Sequence, residues 1–289
     1  METLQNEYIS VAVSDKGAEL QSIKLKEDGT EYLWQAEPDI WGRHAPVLFP
    51  IVGKVKDNNY KYDNSNYKLG QHGFARDMKF NISSEIKDKI IYELSSGTET
   101  LNKYPFEFQL KISYKLEKNS IIVGYEVKNK DIKEMIFSIG AHPGFVCPLS
   151  QEEKFEDYYF EFEKNETLKT STLDDGLIGK GKKQLLNDEK VLPITRELFK
   201  EDALILKGFV SDSVSLKSKK TSKSVTLEFK GFPYLGLWSK PEGAPFVCIE
   251  PWYGIADSVD ASGNLEDKRG TIKLRPSEKF SCSYKIIIE

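Results

Sequence analysis

The stretch Phe106-Glu107-Phe108-Gln109-Leu110-Lys111-Ile112-Ser113-Tyr114-Lys115-Leu116 sets a large apolar side chain at every second position and a polar one between. After a turn at Glu117-Lys118-Asn119-Ser120, Ile121, Val123, Tyr125 and Val127 resume the alternation. A period of two sends successive side chains to opposite faces of an extended chain, so each run predicts a strand with one buried and one solvated face. Two strands of this length joined by a short turn predict a broad antiparallel sheet.

The same signal recurs outward in both directions. Tyr8 to Val13 has β-type residues, and Leu20 to Leu25 leads through Asp28-Gly29 into Glu31-Tyr32-Leu33-Trp34 as a hairpin. Tyr60 and Tyr62 face Tyr67 and Leu69 across Asp63-Asn64-Ser65-Asn66 as another. Further alternating runs are Tyr158, Phe160 and Phe162; Val214 and Leu216; Val225, Leu227 and Phe229; and Phe280, Cys282, Tyr284, Ile286 and Ile288. Helical periodicity is confined to one short turn at Thr195 to Phe199. The polar tract Lys164 to Glu189 is expected to be a surface excursion, with turns at Asp174-Asp175-Gly176 and Gly179-Lys180-Gly181. With no repeat at a solenoid period and no linker rich in Gly or Pro, the expectation is an all-β fold. It would be a large antiparallel β-sandwich with very little helix, formed as a single domain over residues 1–289.

Composition narrows the class of partner. The chain of 289 residues is 39% hydrophobic and 30% charged, enough for a substantial core. A formal net charge of −4 gives no basic field to recruit nucleic acid or an anionic membrane surface. The first residues lack the apolar segment of a signal peptide and no run reaches membrane-spanning length, so a cytoplasmic location is expected. Cys147, Cys248 and Cys282 are widely spaced and odd in number, which suggests neither a disulfide framework nor a zinc knuckle.

Chemistry-bearing residues fall in four places. Ser138-Ile139-Gly140-Ala141-His142-Pro143-Gly144-Phe145 sets a histidine between glycines and beside a proline at the end of an apolar strand. Gln71-His72-Gly73-Phe74-Ala75-Arg76 repeats the device after the strand ending at Leu69. Trp41-Gly42-Arg43-His44-Ala45-Pro46 offers a guanidinium able to donate to several oxygens at once. Finally, in Phe246-Val247-Cys248-Ile249-Glu250-Pro251-Trp252, a carboxylate follows directly on a buried apolar run. Such a carboxyl either meets a partner or carries a shifted pKa, and both suit a general base. Asp257 and Asp260, further on, are expected to be ordinary loop residues.

Together these motifs, in this order, resemble the aldose 1-epimerase family of galactose mutarotase-like enzymes, and in particular the branch of LacX-like proteins and glucose-6-phosphate 1-epimerases. The resemblance implies a β-supersandwich that needs no cofactor and no metal. It implies that His142 is the general acid that protonates the ring oxygen, and that Glu250 is the base that takes the anomeric proton. His72 and Arg43 would bind sugar oxygens, with Asp202 as a further sugar-binding residue. The implied partner is a small sugar or sugar phosphate, and the protein would be a monomer or homodimer. For a phosphorylated sugar the available cations are Arg43, Lys54 and Arg76.

The residue types suit that reaction on chemical grounds. Ring opening takes one proton from the anomeric oxygen and gives one to the ring oxygen, which a carboxylate and an imidazole tuned toward working pH can do. Trp34, Trp41, Phe74, Trp238, Trp252 and Tyr253 are candidate walls for the apolar faces of a sugar. Three other readings use the same residues. His72, His142 and Glu250 could form a two-histidine, one-carboxylate metal site. The sandwich could be a non-catalytic carbohydrate-binding or sugar-sensing protein. A glycosidase would need paired carboxylates, and only Glu250 is marked out.

Overall fold

A computed structural model describes residues 1–289. Its largest element is a nine-stranded antiparallel sheet, and the alternating stretch forms two of the strands near its middle, Phe108–Glu117 and Ser120–Asn129. Their pairing is regular, Tyr114 facing Val123 and Ile112 facing Tyr125, and burial alternates at every residue from Phe108 to Glu117. The C-terminal strand Lys279–Ile288 lies beside Ser120–Asn129, which closes the sheet around residues distant in sequence.

A six-stranded sheet faces it. Its centre is the strand Phe246–Tyr253, flanked by Tyr234–Trp238 on one side and by the two short strands Ile139–Ala141 and Gly144–Val146 on the other. Val247 and Ile249 point into a continuous core of 66 buried residues, together with Leu110, Ile112, Val123 and Ile286 of the large sheet. The alternate residues Phe246, Cys248 and Trp252 pack on the other side, in two smaller apolar clusters. The strand is therefore covered on both faces, which is why it reads as a continuous apolar run rather than an alternation. The whole is an all-β antiparallel supersandwich, as expected. No helix is long and apolar enough to cross a membrane.

Three local readings change. Lys164 to Glu189 is not an irregular excursion but most of a two-stranded ribbon, Tyr158–Asp174 paired with Leu177–Pro193, reversing at Asp175-Gly176. Register shifts interrupt its alternation and solvent reaches much of both faces, so the period-two signal fades after Phe162. Gly179-Lys180-Gly181 lies inside the second strand, where a side chain at Gly179 would come within 2.6 Å of Thr172. The Tyr60 hairpin turns at Asp63-Asn64, both in the left-handed region, so Tyr62 faces Ser65 rather than Tyr67. A short helical turn stands at Arg196–Phe199, capped by Thr195, and a second at Thr98–Leu101.

The alternation should be readable in stability. Leu110→Ala removes a fully buried side chain and should cost about 2–5 kcal/mol in urea unfolding. Its neighbour Lys111 lies half-exposed, 3.7 Å from Glu93, and Lys111→Ala should cost about 0–1 kcal/mol. Similar losses for the two would contradict the face assignment.

Candidate active site

The geometry of the site begins with strand register. Ile139 and Gly140 pair with Tyr253 and Trp252, and Gly144 pairs with Cys248. The unbroken register across the gap sets His142 opposite Glu250, as a cross-strand pair. Their side chains meet with Nε2 and Oε2 3.2 Å apart. Pro251 stands two residues beyond Ile249, whose N–H donates to Pro143 O. The donor that Pro251 lacks would have faced the same side, where the neighbouring strand is broken at His142-Pro143, so a proline is tolerated mid-sheet. Contrary to the expectation that a carboxylate follows the strand, Glu250 lies within it.

Trp252 forms the floor. Its indole lies across Gly140 on one neighbouring strand and Gly236 on the other, where a Cβ would come within 2.6 and 2.4 Å of the ring. Its Nε1 donates to Ala141 O at 3.2 Å. Trp41 and Trp238 form walls, with ring centroids 5.0 and 5.6 Å from that of His142. These three of the six candidate aromatics line the cavity. Trp34 and Phe74 are buried in the packing behind it, and Tyr253 packs against the main core.

His72 reaches the site from a loop. It and Gly73 both adopt the left-handed region, and a Cβ on Gly73 would sit 2.3 Å from Phe49 O. A non-glycine residue in this conformation costs on the order of 1 kcal/mol, offset here by two bonds to one residue: His72 N donates to Gly53 O at 2.7 Å, and Gly53 N donates to His72 Nδ1 at 3.1 Å. Nδ1 is thereby an acceptor, so in the neutral ring the proton sits on Nε2. The His72 and His142 rings meet edge to face, 5.5 Å apart.

His72, Arg76, His142, Asp202 and Glu250 thus surround one cavity of about 280 Å³. Arg43 is not in its wall. Its Nη2 is held at the rim by Asp77 Oδ1, 2.8 Å away, and His44, beside it, donates its N–H to the buried carboxylate of Glu19. Lys54 is likewise turned outward, onto Asp175 at 2.6 Å. Arg76 donates from Nη2 to Gln71 O. Three buried side-chain polar atoms lack a hydrogen-bond partner, Arg76 Nε, His142 Nδ1 and Glu250 Oε2, and all three belong to residues of this cavity.

Burial governs the protonation states. It pushes the Glu250 carboxyl well above the ordinary carboxylate range, with the Asp202 charge adding to the effect. It lowers the His142 imidazole to about 3, helped by the Arg76 and Arg43 charges, and it holds His72 well below its ordinary value. The undisturbed cavity therefore favours a neutral carboxyl beside a neutral imidazole. One donor atom each of His142, Cys248 and Glu250 lies within 4.8 Å of the others. Burial holds the Cys248 thiol protonated as well, so thiol and carboxyl would both have to ionise before binding a cation.

Two contributions escaped the sequence reading. Leu173 and Gly176, at the tip of the ribbon, close one side of the cavity. Asp257 is no ordinary loop residue: its Oδ1 pairs with buried Lys268 at 2.9 Å, its Oδ2 accepts from Lys56 N, and its carbonyl accepts from Ile178 N on the ribbon. The alternation that resumes at Glu166, Leu168 and Thr170, after its interruption at Glu163-Lys164-Asn165, is the faint signal that could have revealed the ribbon.

The chain belongs to the aldose 1-epimerase family, whose family model matches residues 2–273. It is 36% identical to Protein LacX, chromosomal, of Lactococcus lactis subsp. lactis over 99% of this chain and 98% of that protein. Among solved structures, a galactose mutarotase related enzyme from Lactobacillus acidophilus is 40% identical with a TM-score of 0.96, covering 100% of this chain and 97% of that one. A galactose mutarotase-like protein from Lactobacillus casei ATCC 334 is 31% identical with a TM-score of 0.93 over the whole of both chains.

The raised Glu250 pKa has a consequence for stability. The unfolded chain releases this proton near 4.5, whereas the folded chain retains it to higher pH, so folding binds a proton and stability falls as pH rises above 4.5. Glu250→Gln removes that dependence. Its melting temperature relative to wild type should rise steadily between pH 5 and 8, and a constant difference would show that the carboxyl is not perturbed.

Proposed function

We propose that the protein is a cofactor-independent aldose 1-epimerase that interconverts the α and β anomers of a hexose by acid–base ring opening and closure. The observation that carries this reading is the set of three unpartnered buried atoms, Arg76 Nε, His142 Nδ1 and Glu250 Oε2, around a cavity walled by Trp41, Trp238 and Trp252. A pyranose offers hydroxyls to the first and C–H faces to the second.

In the proposed cycle Glu250, as carboxylate, takes the proton of the anomeric hydroxyl, while His142, as imidazolium, gives a proton to the ring oxygen. The ring C–O bond breaks as the anomeric carbonyl forms. The pair holds one proton before and after this step. It ends with a neutral carboxyl and a neutral imidazole, the forms that burial favours. Sugar hydroxyls entering the cavity supply donors that stabilise the starting carboxylate. Rotation about C1–C2 and reversal of both transfers close the other anomer. His72 Nε2–H and Arg76 donate to sugar oxygens, and Asp202 accepts from a hydroxyl at the mouth. Arg43 stays at the rim, paired with Asp77.

The reading favours an unphosphorylated aldose over its 6-phosphate, because Asp77 and Asp175 already neutralise Arg43 and Lys54. Residues 1–289 would act as one cytoplasmic unit, since the main core joins Leu4 to Ile288.

NMR of freshly dissolved α-glucose, α-galactose and their 6-phosphates should show anomerisation above the buffer rate for at least one free sugar. Glu250→Gln and His142→Asn should each reduce it by on the order of 10²–10⁴. Sugar binding with no acceleration by wild type would instead indicate a carbohydrate-binding or sugar-sensing protein, and acceleration only of the 6-phosphates would overturn the charge argument.

A further inference from the structure

On the far side of the ribbon lies a second cavity of about 330 Å³, between the strand Leu177–Pro193, the ends of Leu204–Lys207 and Tyr234–Trp238, and the loop after Gly254. Its wall carries Lys180, Lys182, Lys207 and Arg269 against a single carboxylate, Asp260. Arg269 approaches Asp260 only to 3.9 Å, and the three lysines pair with no carboxylate. Ile205 is the one lining residue shared with the sugar cavity.

The fold brings these cations together from separate segments. Lys180 and Lys182 lie on one strand at a register shift opposite Thr172, and both line the cavity. The glycines on either side of Lys180 admit Thr172 of the paired strand, whose Oγ1 accepts from Gly181 N. That close pairing fixes the position of this part of the ribbon. Lys207 stands across from Tyr234 in register, and the bridge from Ile178 to Ser258 ties the ribbon to the loop bearing Asp260. The Asp260 carboxyl is held below its ordinary range by a hydrogen bond from Ser258 and by its own backbone amide, with the Lys180 and Arg269 charges adding. In a chain of net charge −4, four exposed cations gathered around one counter-charge make a local positive field that attracts an anion.

We propose that this cavity binds a multiply charged phosphoryl anion, either a diphosphate or the phosphate group of a small ester. Several oxygens on one centre can accept from three ammonium groups and a guanidinium together, and the Tyr234 and Ser171 hydroxyls add neutral donors. The cavity exceeds a single phosphate in size, which leaves room for a second phosphoryl group or a short carbon skeleton. This inference is independent of the sugar reading, since none of its cations lines the sugar cavity.

Calorimetric titration with inorganic pyrophosphate, in low-salt buffer at pH 7.5, tests it. Wild type should bind saturably at one site, and added salt should weaken binding by screening. Lys180→Gln/Lys182→Gln, with both positions exposed, should keep the wild-type melting temperature and lose at least tenfold in affinity. Glu250→Gln and Arg76→Ala should bind like wild type. Competition by glycerol 3-phosphate would mark the site as one for phosphate esters, and pyrophosphate binding without it as one for diphosphates. No saturable binding, an unchanged lysine variant, or a loss in Arg76→Ala alone, which would put the anion in the sugar cavity, overturns the proposal.

Discussion

The strand Phe246–Tyr253 carries a carboxyl group into the interior, and much of the local sequence answers the cost of doing so. A buried, incompletely paired carboxylate is expensive, and covering this strand on both faces leaves Glu250 1% exposed. The structure does not relieve that cost with a lysine or arginine in contact. It sets an imidazole 3.2 Å away instead, so that carboxyl and ring can hold a single proton between them. A fixed cationic partner would stabilise the carboxylate permanently and weaken it as a base. A neutral partner leaves the proton free to move.

Rigidity enters through the sheet. His142 and Glu250 face each other because two short strands keep one register on either side of a two-residue break, so their separation is set by backbone hydrogen bonds rather than by a loop. The residues from loops are fixed by other means. His72 is tied through ring and amide to the backbone N–H and carbonyl of Gly53, and the Ala256 wall is held by the buried Asp257–Lys268 pair. Removing one partner of such a buried pair leaves an uncompensated charge, so Asp257 and Lys268 matter as a unit. Supporting residues of this kind keep a first layer of functional groups within a few tenths of an ångström.

How much of this was legible in the sequence depends on whether the signal was local. The alternation from Phe106 to Val127 was, because these two strands of the large sheet each bury one face and solvate the other. His72, His142 and Glu250 were also legible, since a histidine beside glycine at a strand end and a carboxylate after a buried run each break a local rule. The ribbon was not, because its second strand meets solvent on both faces and register shifts blur the period of both. The role of Asp257 was not, because its partner Lys268 and its contact at Lys56 lie elsewhere in the chain. Arg43 was read as a sugar ligand from its motif, but Asp77, which holds it at the rim, lies 34 residues away, and no local pattern records that competition.

Charge placement separates the two cavities more sharply than shape does. Around the sugar cavity the cations have opposing carboxylates: Asp77 for Arg43 and, at 3.9 Å, for Arg76, and Asp175 for Lys54. A neutral, hydroxyl-rich ligand gains hydrogen bonds there without adding unbalanced charge, whereas a phosphate would have to displace carboxylates already in place. Behind the ribbon the balance is reversed, with four cations around one acid. A polyol entering that cavity would leave the three lysines without a counter-charge, and an anion would supply one. The ribbon lines both cavities, Leu173 and Gly176 facing the sugar side and Lys180 and Lys182 the other. One pair of strands, poor in core-forming residues and for that reason hard to read, thus divides a surface suited to neutral ligands from one suited to charged ones.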